Sequence, residues 1–182
     1  MALAGTIIGA IFTLLIPLLA IPAAIMFPVF AKARASAQQV TCLSNVKQLG
    51  TAMSMYASDW DDRYPLADNW NEALAPYAKD PENLIICPAA ESKDEPSYAM
   101  NGQLSGFPER SISSPADIVM LYDSVPGRNR SGGPELLPSP PRHTGDNNTV
   151  GFVDGHVKSV ERSDTSALKW SPYDALTYPA PW

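Results

Sequence analysis

The first 31 residues carry no charged side chain, and the first charge along the chain is Lys32. Ala2 to Ile16 reads as helix, with Gly5 and Gly9 forming a small-residue face that lets helices approach closely. Pro17, Pro22 and Pro28 then interrupt the pattern. Each removes a backbone donor and crowds the carbonyl four residues earlier, so the stretch from about Leu14 to Phe27 is expected to melt or kink. Bare lipid tolerates freed carbonyls poorly, whereas neighbouring protein covers them. Burial among other subunits is therefore expected, a kinked lone anchor being the alternative. The helix resumes at Val29. Val40, Leu43, Val46, Leu49, Ala52, Met53 and Tyr56 recur at threes and fours, one apolar stripe on which a head should dock. Ser58 to Pro65 ends this spine.

Beyond the spine the pattern shortens and alternates. Asn71 to Tyr77 predicts a short helix, Leu84 to Cys87 a strand, and Ser97 to Met100 an extended edge piece. Asp117 to Tyr122 is the clearest strand. Pro126 to Pro141 lacks periodicity and reads as surface loop. Thr149 to Val153 and His156 to Val160 flank Asp154-Gly155, which predicts a two-residue type I′ hairpin. The tail from Ser163 is irregular, with Trp170, Tyr173, Tyr178 and Trp182 as packing anchors. No internal repeat is visible. The division expected is a hydrophobic stem (1–28), a helical spine (29–57), an α+β head with a small antiparallel sheet (58–162) and the tail (163–182).

A chain of 182 residues allows one compact domain plus the stem. Eighteen prolines and eleven glycines imply a head rich in turns. Net charge is -6 with no basic cluster, which argues against nucleic acid as a partner. The stem differs from a signal peptide: no Lys or Arg precedes it, and it outruns an h-region. It exceeds the roughly 20 apolar residues that span a bilayer, so membrane insertion at some stage is expected. Lys32, Arg34 and Lys47 all follow the stem, and positive residues stay cytoplasmic. An outward-facing head then needs a basic leader, already removed, which would make Met1 a processed terminus.

The two cysteines, Cys42 and Cys87, have no metal-site spacing. Outside the cytoplasm they would pair, closing a long loop and stabilising by roughly 4 kcal/mol on the chain-entropy model. Two buried free thiols are the alternative.

The run Phe27-Pro28-Val29-Phe30-Ala31-Lys32-Ala33-Arg34, then Cys42-Leu43-Ser44-Asn45-Val46-Lys47-Gln48-Leu49-Gly50 and Tyr56-Ala57-Ser58-Asp59, resembles bacterial type IV pilin-like and pseudopilin proteins. More narrowly, the chain resembles the group with a prepilin-type N-terminus and a C-terminal motif of His, nine residues, then Asp-Gly. Here that motif runs from Arg142-His143 to Phe152-Val153-Asp154-Gly155-His156-Val157. Cys87-Pro88, Ser97-Tyr98-Ala99-Met100-Asn101, and Ser114-Pro115 ahead of a strand ending in Asp123 add to the likeness. Ten residues rather than nine separate His143 from Asp154, which places an insertion in the Thr144 to Val150 loop. The family's stem also opens with a Phe-Thr-Leu-Ile-Glu signature, whose glutamate in type IV pilins engages the terminal amine of a neighbouring subunit. No Glu occurs in residues 1–31 here, so the Gly5 and Gly9 face would have to set the register.

Asp59, Asp61 and Asp62 follow the spine, and clustered loop carboxylates suit a hard cation such as calcium. The plainer reading is helix termination with an Arg63 ion pair. His143 and His156, with Asp154, could form a metal or acid–base set. The plainer reading gives Asp154 to the turn and His143 to loop hydrogen bonding. Asn129 and Asn147 sit in N-glycosylation acceptor patterns. No Ser nucleophile elbow, phosphate-cradling Gly loop or Cys-His pair with supporting context appears, so catalysis is not expected.

The resemblance implies a self-assembling subunit, held in the inner or cytoplasmic membrane before joining an extracellular helical filament through assembly machinery. The packing residues would be Gly5, Gly9, Pro17, Pro22, Phe27 and Pro28. The alternative is a minor pseudopilin, or another membrane-anchored component of a type II secretion-like machine. A tethered metal- or carbohydrate-binding head is a third class.

Overall fold

In the computed structural model the chain is described from residue 2 to residue 173, with side chains placed from Ala24 onward. Helix α1 spans Ala2–Asp59. The melting expected at the prolines does not occur: the helix runs through Pro17, Pro22 and Pro28 without a break. A proline deletes one backbone bond, and the flanking Ala, Leu and Ile residues carry the helix across it. Among the described residues no helix is long and apolar enough to cross a membrane. The expectations placed on the side chains of Pro17 and Pro22 and on Gly5 and Gly9, as on Tyr178 and Trp182, lie outside the described residues.

The chain divides into two compact units after Ala37. In the first, Ile25 (64% exposed), Met26, Phe27 (79%), Val29 and Phe30 all face solvent. The second contains the rest of α1 and an α+β head. Short helices α2 (Trp70–Leu74) and α3 (Pro81–Leu84) precede five strands: β1 (Tyr98–Asn101), β2 (Val119–Asp123), β3 (Ser131–Gly132), β4 (Asn147–Phe152) and β5 (Val157–Glu161). Their order in the sheet is β3-β1-β2-β4-β5. The sheet is mixed rather than antiparallel, because β3, inside the proline-rich loop, pairs parallel to β1.

Three further expectations are corrected. Leu84 to Cys87 is the end of α3 and a turn, not a strand. Pro81 at the first helical turn favours helix, and a short apolar run does not by itself distinguish the two. The piece at Ser97 to Met100 is no edge: β1 lies between β2 and β3 and is buried throughout. The hairpin loop has three residues, not two. Phe152 N–H donates to the His156 carbonyl at 2.9 Å, and Gly155 N–H to the Phe152 carbonyl at 2.9 Å. Gly155 takes φ +82°, the left-handed position that closes a three-residue loop with a bulge.

The sheet is apolar on both faces. Tyr98, Met100 and Met120 join Cys42, Val46, Leu49 and Met53 of α1 in the main core. On the reverse face Ala99, Val119, Tyr122, Val150, Phe152 and Val160 pack beneath Leu136, Leu137, Leu168 and Trp170. The buried stripe of α1 is Cys42, Val46, Leu49, Met53 and Ala57, while Val40, assigned to it from spacing, is 64% exposed. Gly151 lets the helix approach β4: a Cβ there would lie 2.7 Å from Cγ1 of Val46. The described part of the tail follows the sheet, with Val119 N–H donating to the Lys169 carbonyl at 2.9 Å. Trp170 packs edge-on to Tyr122, their ring centroids 4.8 Å apart.

Candidate functional site

Cys42 on the buried face of α1 and Cys87, three residues past α3, form a disulfide with Cα atoms 5.3 Å apart. Hydrogen bonds reinforce this junction. Asn45 Nδ2 donates to the Ile86 carbonyl at 3.1 Å, and Gln38 Nε2 to the Pro88 carbonyl at 2.9 Å. The Cys87 N–H donates to Ser97 Oγ at 3.1 Å. Covalent and polar ties thus hold the 86–88 segment against the helix.

A buried polar cluster lies beside the disulfide. His143 Nε2 is 3.0 Å from Asp123 Oδ2, and neither side chain is exposed. An ionised carboxylate only accepts, so Nε2 carries the proton and donates. The same Oδ2 accepts the Thr149 N–H at 2.5 Å. Arg142 Nη1 donates to the Ser97 carbonyl at 3.1 Å and sits 3.9 Å from Asp123 Oδ1, while Nη2 donates to the Ser124 carbonyl. On its other side His143 Nε2 lies 3.8 Å from Cys87 Sγ. Burial, then the Asp123 charge, push the neighbouring Tyr98 phenol well above its ordinary value. Burying a carboxylate is costly unless it is paired and hydrogen-bonded. Here the cluster locks the 142–143 loop to the ends of β1 and β2.

His143 and His156 belong to different sites. His143 is buried at the end of β2, whereas His156 is exposed at the β4–β5 turn. His156 Nδ1 lies 2.6 Å from Asp154 Oδ1, and the imidazole stacks on Phe152 at 4.2 Å. Asp154 also accepts the His156 N–H at 2.9 Å. Burial alone would raise the Asp154 carboxyl, but the two His156 hydrogen bonds and the His156 and Lys47 charges outweigh it, so it lies below its ordinary value. Lys47 Nζ donates to the Gly155 carbonyl at 2.5 Å, tying the turn to α1. Asp154 therefore serves the turn, and the pairing of the two histidines is not formed.

The acidic turn disperses its carboxylates. Asp59 accepts the Tyr77 hydroxyl at 3.0 Å, and Asp62 pairs with Arg110 at 3.3 Å. Arg63 donates to the Gly106 carbonyl rather than pairing with an aspartate. Asp61 takes φ 50° and Asp62 φ 62°, a conformation Asp tolerates and one that reverses the chain after the helix. Among the described residues the three aspartates are not brought together as a calcium site. Asn129 Nδ2 donates to Glu72 at 2.7 Å, and Asn147 Nδ2 to the Thr144 carbonyl at 2.8 Å. Both proposed glycan acceptors are thus engaged in loop hydrogen bonds.

Asp123 is the residue that sequence reasoning left without a role. Its signal was present: an acid directly after the apolar run Ile118 to Tyr122 must be buried with its strand or mark its end, and here it does both. Neither protein-family models, curated proteins nor solved structures give a match to this chain.

Proposed function

We propose that this chain is a structural subunit that self-assembles through its N-terminal helix into a type IV pilin-like filament. One observation carries the reading: Ile25, Met26, Phe27, Val29 and Phe30 are exposed on an uncharged helical segment. A helix apolar all round seeks a membrane or like helices rather than water. The long helix and the head sheet are consistent with a pilin-like layout. Burial of about 1,500 Å² of apolar surface per subunit, at about 25 cal/mol per Å², gives tens of kcal/mol gross, well above association costs. Starting from a bilayer the gain is smaller, and packing decides. Storage in the inner or cytoplasmic membrane, followed by export to the cell surface, belongs to the same proposal.

Electron microscopy of filaments from the native source, with mass spectrometry of their main component, tests it. Long filaments built of this chain support the reading. Full-length material that stays monodisperse in every condition overturns it. Short assemblies that require other subunits would instead favour a minor pseudopilin.

A further inference from the structure

The buried cluster beside the disulfide has the composition of a metal site as well as of a structural network. The sulfurs of Cys42 and Cys87 and a ring nitrogen of His143 all lie within 4.8 Å of one another, and all three residues are buried. In a tetrahedral zinc site, with Zn–S near 2.3 Å and Zn–N near 2.0 Å, neighbouring sulfur and nitrogen ligands stand roughly 3.5 Å apart. His143 Nε2 and Cys87 Sγ are separated by 3.8 Å. The three groups are thus neighbours, and a metal can enter once the bond between the two sulfurs is reduced and they separate.

Polar atoms next to these three groups are also left unpaired. Asp123 Oδ1 and His143 Nδ1 are buried and accept or donate no hydrogen bond. Such groups are rare in a folded interior and call for a partner. Charge also fits. Two thiolates balance a divalent cation, and the Arg142 guanidinium, 11% exposed, stands 3.9 Å from the Asp123 carboxylate beside them. The filled cluster is neutral as a whole.

We infer that in reducing surroundings Cys42, Cys87 and His143 bind a thiophilic divalent cation of the zinc type, and that the disulfide replaces this site on oxidation. The chemistry balances. A phosphine or dithiol delivers two electrons to the S–S bond and is itself oxidised, and two protons convert the sulfurs to thiols. The cation then displaces those two protons as it takes both thiolates. His143 moves its proton from Nε2 to Nδ1 and ligates through Nε2. The shift gives up the hydrogen bond from Nε2 to Asp123 Oδ2, which the metal–nitrogen bond replaces. A water molecule completes the four-coordinate set. One set of side chains thus ties α1 to the 86–88 segment in two ways, by metal when reduced and covalently when oxidised.

Cobalt(II) is the test probe, added anaerobically to the full chain in detergent after phosphine reduction. The expected result is one equivalent bound, with the intense visible bands of four-coordinate cobalt and a near-ultraviolet thiolate-to-cobalt band. The oxidised protein should show neither. Cys42→Ser or Cys87→Ser should remove the thiolate band's full intensity, and His143→Gln should weaken binding at least about tenfold. X-ray absorption of the zinc-loaded, unsubstituted chain provides a reading independent of the variants, with two sulfur and one imidazole scatterers expected. The inference is overturned by a pale six-coordinate cobalt spectrum, or by a zinc shell lacking imidazole. It is equally overturned if the reduced head unfolds by circular dichroism and metal does not restore it.

Discussion

Two stretches of α1 have the same backbone and opposite surroundings. From Ile25 to Phe30 the large apolar side chains are 52–79% exposed, whereas Cys42, Val46, Leu49, Met53 and Ala57 are at most 1% exposed. The difference lies in what interrupts the apolar residues. After Gln38 they alternate with Asn45, Lys47, Gln48 and Thr51, so one face meets the sheet and the other meets water. Before Lys32 no charged residue marks an outer face. A stripe is complete once one sheet covers it, while an all-round apolar segment stays unsatisfied until something surrounds it. Hence the distal half builds the core of the head, and the proximal half leaves its apolar side chains uncovered.

The sharpest way to break this comparison is to charge the uncovered half. Phe27→Glu combined with Phe30→Glu should abolish polymer seen by electron microscopy, while moving head stability by no more than about 0.5 kcal/mol in denaturant unfolding. Unfolding of the head by the same pair would show that the two halves are not independent. On the covered half the largest effect is expected from Asp123→Ala. It strands the buried His143 and Arg142 without their carboxylate and should cost about 3–5 kcal/mol. Replacing both cysteines by serine should lower the unfolding free energy by about 2–5 kcal/mol and leave the uncovered half unaffected.

The smallest effect belongs to the hairpin turn that Lys47 ties to α1. The Asp154 carboxyl is held below its ordinary value when folded. Its contribution is therefore complete above the unfolded pKa and is lost as pH falls through the folded one, that is, below about pH 4. Asp154→Asn should flatten this acid limb by less than about 1 kcal/mol. An unchanged limb would assign the acid sensitivity to other carboxylates.

Much of the head was legible because its signals are local. Asp117 to Tyr122 and the Asp154-Gly155 turn mark strands and a reversal by residue type alone. Asn71 to Tyr77 is realised as α2 and the 3₁₀ turn directly after it. The misreadings share one cause. Leu84 to Cys87 and Ser97 to Met100 are short apolar runs, and which element they join depends on what covers them. The same holds for Val40, which fits the helical spacing yet points away from the sheet, although Gln39 beside it donates to Ser159 of β5.

The order of residues by itself determined that a charge-free N-terminal segment leads into an amphipathic helix, that turns dominate the head, and that two cysteines could meet. Periodicity and backbone chemistry act over a few residues, so they need no fold to be read. Only the tertiary structure decided that His143 pairs with Asp123 instead of His156, that the three aspartates at the end of α1 diverge, and that β3 adds in parallel. Those outcomes are set by burial, because a buried polar group must take whichever partner the packed elements bring within hydrogen-bonding distance. Residues far apart in the chain give no local sign of which partner that is.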